Sequence, residues 1–533
     1  MSTTESPVER PHGGLGARAR TVRGHAARLP GVVWVVAIAL LTYLIQSDAY
    51  PSYDYGFALS TGQDILRERT TAYGLDGVQA PLPHPLTIAA ATLAGMFAIV
   101  FGDNIGAWVF LALALLGFGL LVYATYRLGR ELFSWPIGLL AAVLVFTSGQ
   151  IFQLAIRTYG DIAAAGLVIF AAVLFMRDPR GKGFAPLGVL TVAGLLRPEV
   201  WILAGLLWLW LFRGKDWQTR FGTAALVALA PLLWLLTDLW LTGNALHSFQ
   251  DARDFAEERT ASLGFSGIPG RMQKFMDQLM TIPVVIGAGI GLIAGAVFLR
   301  RRIILPLLLG VIPAAISLTL AVAGDTLTYN RFYLVTAAMV ALFCAIAVLG
   351  WTAFDGERTV RRIWQFAGVA LVTLLVLSAI ERVDEFDRRL GRQANFVATL
   401  TEARGFVQLE RVAPYLEAPE CDPVDIPGFL LRPYVRYWAD VPPERISFAT
   451  GGRIPARGAV LLTKDEEFKR HPGLAARTGR GLRDDWLRSK AFRRNFRPVV
   501  ETRSFSLWAS AECRTAVESR ARAQAGGAPG ARG

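Results

Sequence analysis

The side chains most suited to chemistry in this sequence are a few carboxylates and arginines, widely separated along the chain. Asp54 lies in Tyr53-Asp54-Tyr55-Gly56, shortly after the first apolar run, and an amphipathic segment with Phe57, Leu59, Ile65 and Leu66 follows it. A carboxylate at the lip of a membrane cavity can take a proton from an incoming hydroxyl once it comes within hydrogen-bond distance. The same residue could instead cap a helix starting at Tyr55, since Asp is a favoured N-cap. Of the other acids nearby, Asp48, Asp64 and Asp76 read as surface or capping residues.

Arg157 and Asp161 are four residues apart, so on one helix they would share a face. They could form a simple ion pair, or Asp161 could hold a sugar hydroxyl or a metal while Arg157 faces a phosphate. Arg197 and Glu199 mark a Leu-Leu-Arg-Pro-Glu turn. An arginine there could grip phosphate through two parallel donors, or the pair could cap and close a helical hairpin. Tyr329 and Arg331, with Asp325, border a further polar turn. Arg331 could stabilise the charge on a phosphate leaving group, or simply snorkel to the membrane interface. His84, between Pro83 and Pro85, could touch a substrate or form a rigid corner. No second histidine stands at ligand spacing, and neither CxxC nor HExxH occurs, so no metal site is assigned. A divalent cation, if one is used, would fall to Asp54 and Asp161, and no other cofactor is indicated.

The elements that must position these residues are mostly apolar helices. Hydrophobic residues make up 53% of the 533 and charged residues 18%, a balance that marks a polytopic membrane protein. The net charge of +13 comes from short basic clusters between apolar runs. That pattern indicates membrane topology and excludes nucleic acid as a partner. The first apolar run has no small-residue cleavage site after Ile45, so it reads as a retained span in a plasma-membrane protein.

Counting crossings between basic clusters, each taken as cytoplasmic, predicts about 11 transmembrane helices. The segment 86–101 is short for a span and is assigned as re-entrant or interfacial. A single span is expected over 136–155. The apolar stretch around Arg197-Pro198-Glu199 should be two short helices, because one long helix would place charges at mid-bilayer at roughly 2.5–3.5 kcal/mol each. Pro198 suits the first turn of the second.

The resulting organisation is a cytoplasmic basic segment (1–29), an all-α transmembrane domain (30–380) with extracytoplasmic loops at 47–85 and 242–280, and a small extracytoplasmic α/β domain (381–517). A disordered tail (518–533), rich in Ala, Gly and Arg, ends the chain. In the outer domain a helical stretch over 386–416 precedes strands at 458–462, 497–502 and 504–509. An oxidising compartment would allow Cys421 and Cys513 to pair, closing a loop worth about 4 kcal/mol on the chain-entropy model. Unrelated buried cysteines are the alternative.

Taken in order, several of these features resemble the GT-C superfamily of membrane glycosyltransferases. They are Asp54 soon after the first span, Pro83-His84-Pro85-Leu86 before a short apolar run, Tyr126-Arg127-Leu128-Gly129-Arg130-Glu131-Leu132 at a span end, Arg157 to Asp161 at the next outer turn, and Leu196-Arg197-Pro198-Glu199. The resemblance covers roughly residues 30–380 and is closest to mannosyl- and arabinosyltransferase-like members. It implies a polyprenyl-phosphate sugar donor, a glycan, lipid or protein acceptor, Asp54 as the catalytic carboxylate and Asp161 as an acid of the second loop. Tyr55 departs from the pattern, since many relatives carry a second acid there, which counts against a metal at that position. The runner-up functions are a transporter or flippase for a lipid-linked or small polar solute, and a noncatalytic envelope-assembly protein. The first sits poorly with acids at the outer ends of helices, Asp238 being the main exception, and with no internal repeat.

Overall fold

The computed structural model describes residues 30–47, 52–75, 81–258, 267–323, 329–381, 383–426, 431–447, 455–463 and 486–526. Asp48, Asp76, Asp325 and the basic cluster at 18–28 lie outside the described residues.

The chain is a helical membrane protein with a small mixed sheet near its end. After α1 (Gly31–Ile45), the polar stretch is organised around α2 (Tyr53–Leu66), which begins two residues earlier than the sequence suggests. Pro85 opens α3 (Pro85–Phe101), its fixed φ suiting a first helical turn. Next comes α4 (Asp103–Leu132), 30 residues long. The span expected over 136–155 is broken: α5 (Trp135–Phe146) and α6 (Gly149–Ile156) meet at 64°. Ser148 causes the break, accepting from the Ile151 N–H as a cap and donating its hydroxyl to the Leu279 carbonyl.

The next element, α7 (Gly160–Arg177), is followed by the hairpin of α8 (Phe184–Gly194) and α9 (Val200–Phe212), as the charged turn requires. Pro198 lies in the turn itself, ahead of α9, where its carbonyl accepts from Trp201. Along α10 (Trp217–Thr242), Trp217 and Trp240 are exposed. Their spacing of about 35 Å along the axis matches the distance between the two interfaces of a bilayer, where tryptophan is enriched. Asp238, the main exception to the acids at outer helix ends, is fully buried near the end of α10. It accepts from the backbone N–H and hydroxyl of Ser248, in the first turn of α11 (His247–Glu258).

The stretch 242–280 also holds α12 (Ile268–Leu279), which meets α13 (Ile282–Phe298) at 106°. Then come α14 (Ile304–Ala323), α15 (Leu334–Leu349), α16 (Arg358–Glu381) and α17 (Val383–Val407). Among the described residues six helices are long and apolar enough to cross a membrane, or up to eight if each bent pair is one span. The expected count of about 11 is not reproduced. Apolar content marks a run, but Ser148 and the α8–α9 turn show that polar groups inside the runs decide where helices stop.

The C-terminal region continues with α18 (Ala413–Glu417), β1 (Val424–Asp425), α19 (Arg432–Ala439), β2 (Ile446–Ser447), β3 (Ala459–Thr463), α20 (Lys490–Asn495), β4 (Phe496–Glu501), β5 (Phe505–Ser510) and α21 (Ala511–Gly526). The sheet order is β2-β1-β3-β5-β4; β1 runs parallel to β2 and β3, and β5 antiparallel to β3 and β4. The three longer strands match the strand segments expected from the sequence to within a residue at each end, whereas β1 and β2, two residues each, are too short to show a period. Cys421 and Cys513 form a disulfide across 92 residues. The disorder expected from 518 does not hold as far as Gly526. Ala, Arg and Glu are strong helix formers, and α21 is anchored at Cys513 and by Arg520 to Glu420 at 2.7 Å.

One buried core joins this region to the membrane part. Phe57, Leu59 and Ala91 pack in the same cluster as Leu400, Tyr434, Tyr437 and Leu461.

Candidate active site

Two helix starts face each other. Ser52 occupies the cap position of α2 and its N–H donates to the Arg157 carbonyl. Asp54 is therefore a first-turn residue free to point elsewhere, and the cap position considered for it is held by Ser52, whose side chain makes no capping hydrogen bond. The Tyr55 hydroxyl receives the Gly160 N–H at the start of α7, whose first turn carries Asp161. A carboxylate in the first turn is favoured by the helix dipole, so both acids sit where the backbone welcomes negative charge.

A tight turn at Asn330–Tyr333, just before α15, delivers Arg331 between them. One terminal nitrogen of Arg331 donates to Asp54 at 3.1 Å, and its Nε lies 3.8 Å from Asp161. Arg197 reaches the other Asp161 oxygen at 2.7 Å and holds Glu199 with two hydrogen bonds of 3.2 and 2.6 Å. The result is a chain of alternating charge: Asp54, Arg331, Asp161, Arg197, Glu199. Three carboxylates face two guanidinium groups, leaving one formal negative charge. Aromatic rings support the cations. The Arg197 guanidinium lies 3.9 Å from the Phe332 ring centre, and that of Arg331 lies 4.7 Å from Tyr159 and 5.2 Å from Tyr329.

All of the charged chain but Asp54 lines the polar end of an open groove. Asp161, Arg197, Glu199 and Arg331 form that end. The apolar walls come from α7, α9, α14 and α15, including Val168, Leu203, Pro313 and Val335, with Ala164 and Ala165 too small to fill the space. Such a groove suits a molecule with an anionic head and a hydrocarbon tail.

The structure thus gathers Asp54, Asp161, Arg197, Glu199 and Arg331, with Tyr329 half-exposed at the rim. Arg157 does not join them. The helix expected to carry Arg157 and Asp161 on one face ends at Ile156, and Thr158 takes a left-handed φ of 60°. Arg157 turns instead to Gln393 on α17, donating at 3.0 Å. His84 precedes α3 with its ring edge-on to Trp234 at 5.3 Å, and it does not line the groove. Burial and the nearby Arg197 push its imidazole down to about 3, so it is neutral at ordinary pH.

Tyr159 and Phe332 were not singled out in the sequence, because aromatic residues are common at membrane interfaces. Asp64 is neither the surface nor the capping residue that the sequence suggests. It is buried against Arg436 at 2.5 Å, and the visible signal was the small or polar series Gly56, Ser60, Asp64 at helical spacing. The site does not fit a divalent metal as arranged: guanidinium groups engage both Asp54 and Asp161, and among the described residues no three His, Cys, Asp or Glu side chains are gathered to hold an ion.

No family model and no curated protein matches the sequence. Among solved structures, the chain is similar to the Archaeoglobus fulgidus oligosaccharyltransferase in its apo form, with 14% identity and a TM-score of 0.47 over 79% of this chain and 64% of that one. It is similar to AglB from the same organism, solved in complex with an inhibitory peptide and a dolichol-phosphate, with 15% identity and a TM-score of 0.45 over 77% and 64%. It is also similar to ArnT from Cupriavidus metallidurans bound to undecaprenyl phosphate, with 12% identity and a TM-score of 0.46 over 90% and 98%. The chain spans less than two thirds of the length of the oligosaccharyltransferase structures.

Proposed function

We propose that this chain is a membrane glycosyltransferase that moves a sugar from a polyprenyl-phosphate donor to a hydroxyl of an extracytoplasmic acceptor, inverting the anomeric centre. One observation carries the reading. Asp54 is joined through Arg331 to a groove whose head is charged and whose walls are apolar. The order of motifs resembling the GT-C superfamily agrees with it. The acceptor class is a cell-envelope glycan, a lipid or a protein.

In this reading the isoprenoid lies along α7, α9, α14 and α15, and its phosphate meets Arg331 and Arg197. The five charged groups already carry one negative charge, so phosphate competes with the carboxylates for the guanidinium groups. As Arg331 turns to phosphate it releases Asp54. The freed carboxylate then orients the acceptor hydroxyl and takes its proton. The hydroxyl oxygen attacks the anomeric carbon, the carbon–oxygen bond to phosphate breaks, and polyprenyl phosphate leaves with its new charge held by arginine. The basic clusters support placing the N-terminus in the cytoplasm and Asp54 with the C-terminal domain outside, where a disulfide persists.

The test offers proteoliposomes a panel of labelled polyprenyl-phosphate hexoses and pentoses with an envelope extract as acceptor source. Transfer by the wild-type chain and its loss in Asp54→Asn are expected. Unchanged turnover in Asp54→Asn would remove that residue from the mechanism, and lipid-linked sugar crossing the bilayer without transfer would favour a flippase.

A further inference from the structure

We propose that Arg436, in the small C-terminal domain, is a positioning residue for Asp54, acting through its buried ion pair with Asp64 to fix the helix that presents Asp54 to the groove. This rests on the reading of Asp54 as the base.

Gly56, Ser60 and Asp64 recur every four residues and so share one face of α2. That face meets α19. A Cβ on Gly56 would stand 2.8 Å from the Tyr434 ring, so only glycine allows this approach. One turn further, the Ser60 hydroxyl accepts from Arg436 at 3.3 Å, and after another turn Asp64 accepts at 2.5 Å. The two ionic side chains are 1% and 4% exposed. The mount itself is anchored. Arg432 donates to the Ile426 carbonyl at 2.9 Å, Tyr437 donates to the Asp103 carbonyl at the start of α4 at 3.0 Å, and Asp440 accepts from Arg69 at 2.8 Å. Elsewhere α2 is pressed against α3, where a Cβ on Gly62 would lie 2.5 Å from the Ala91 backbone. Tyr55 ties its first turn to α7.

The shared core of Phe57, Leu59, Tyr434 and Tyr437 is enough to make the two parts adhere. A buried ion pair adds little to adhesion over an apolar equivalent, but its hydrogen bonds are directional and set rotation and register. From Asp64 to Asp54 is about 15 Å of rigid helix, so a tilt at one end moves the other. Proton transfer requires about 2.6–3.2 Å, and a misplacement of about 1 Å can cost about 100-fold.

The experiment compares wild type, Arg436→Gln, Arg436→Lys, the double variant Asp64→Asn with Arg436→Gln, and Asp54→Asn in proteoliposomes. The donor is the member of the panel that the wild type uses. Binding of sugar-free undecaprenyl phosphate and hydrogen exchange of α2 amides are measured alongside. Arg436→Gln is expected to lower kcat by about tenfold or more, with donor KM and undecaprenyl phosphate affinity within about twofold and faster exchange in α2. The double variant, whose two amides can bond each other, is expected to recover most of kcat, and Arg436→Lys to fall between. Wild-type kcat in Arg436→Gln, or KM and kcat failing together with no recovery in the double variant, would overturn the proposal. If Arg436→Gln does not fold, wild-type kcat in Arg436→Lys overturns it. Turnover by Asp54→Asn would instead defeat the reading of Asp54, whatever Arg436 does.

Discussion

The helix α2 carries two ionic arrangements that differ in almost every respect. At its start, Asp54 and Arg331 are 34% and 22% exposed and belong to a five-member chain with an unbalanced charge. Near its end, Asp64 and Arg436 are sealed and paired one to one. Each arginine of the open chain has more than one carboxylate within reach, so a new anion can enter by exchanging partners. In the closed pair exchange would leave a buried charge alone, at a cost of about 3–5 kcal/mol. An arrangement that must change partners during a reaction stays open and over-supplied, while one that must hold geometry is closed.

The largest expected effect comes from the open end. Asp54→Asn should lower turnover by about 10²–10⁴-fold, the usual contribution of a general base, while undecaprenyl phosphate still binds. Weaker loss would mean that the open chain serves binding alone. Arg331→Gln should cost about 10²–10³-fold in kcat/KM, since it removes charge where the leaving phosphate develops it.

The disulfide sharpens the comparison from the side of the mount. Replacing both cysteines, Cys421→Ser with Cys513→Ser, should lower the stability of the C-terminal region by about 4 kcal/mol on the chain-entropy model, read as a lower melting temperature. Donor affinity should hold while that region remains folded, because the groove is built from other helices.

The closed pair has its own pH signature. Burial, only partly offset by Arg436, pushes the Asp64 carboxyl up from 3.8 to about 6. Between those values the folded chain keeps a proton that the unfolded chain releases. The contribution of this group to stability is therefore greatest below about pH 4 and declines as pH rises towards 6. Thermal melts of wild type and Asp64→Asn across pH 4–7 should differ by this slope; parallel curves would show that the pair is solvated. The smallest effect is expected at Arg157, which faces Gln393. Arg157→Ala should change donor KM by no more than about twofold, and a larger rise would return Arg157 to the phosphate site.

Much of the site was legible because its chemistry imposes residue types on a background that excludes them. Charged groups are costly near a bilayer, so Asp54, Asp161, Arg197, Glu199 and Arg331 stood out between apolar runs. Arg157 failed the same reading because a shared helical face requires an unbroken helix, and the chain turns at Thr158. Asp64 failed because burial depends on what packs against a helix, and its partner is 372 residues away. The expected number of spans is not reproduced among the described residues, because hydropathy records solubility in lipid and not where a helix bends or stops.

By itself the sequence determined that the chain lives in a membrane, that its polar residues collect beside helix ends, and that a mixed domain follows. Those properties are sums over local residues and their periods. Only the tertiary structure decided that α2 and α7 start face to face, that Arg331 bridges their carboxylates, and that α19 fixes α2 from behind. Such contacts depend on helix breaks and on packing between distant segments, which local periodicity does not encode.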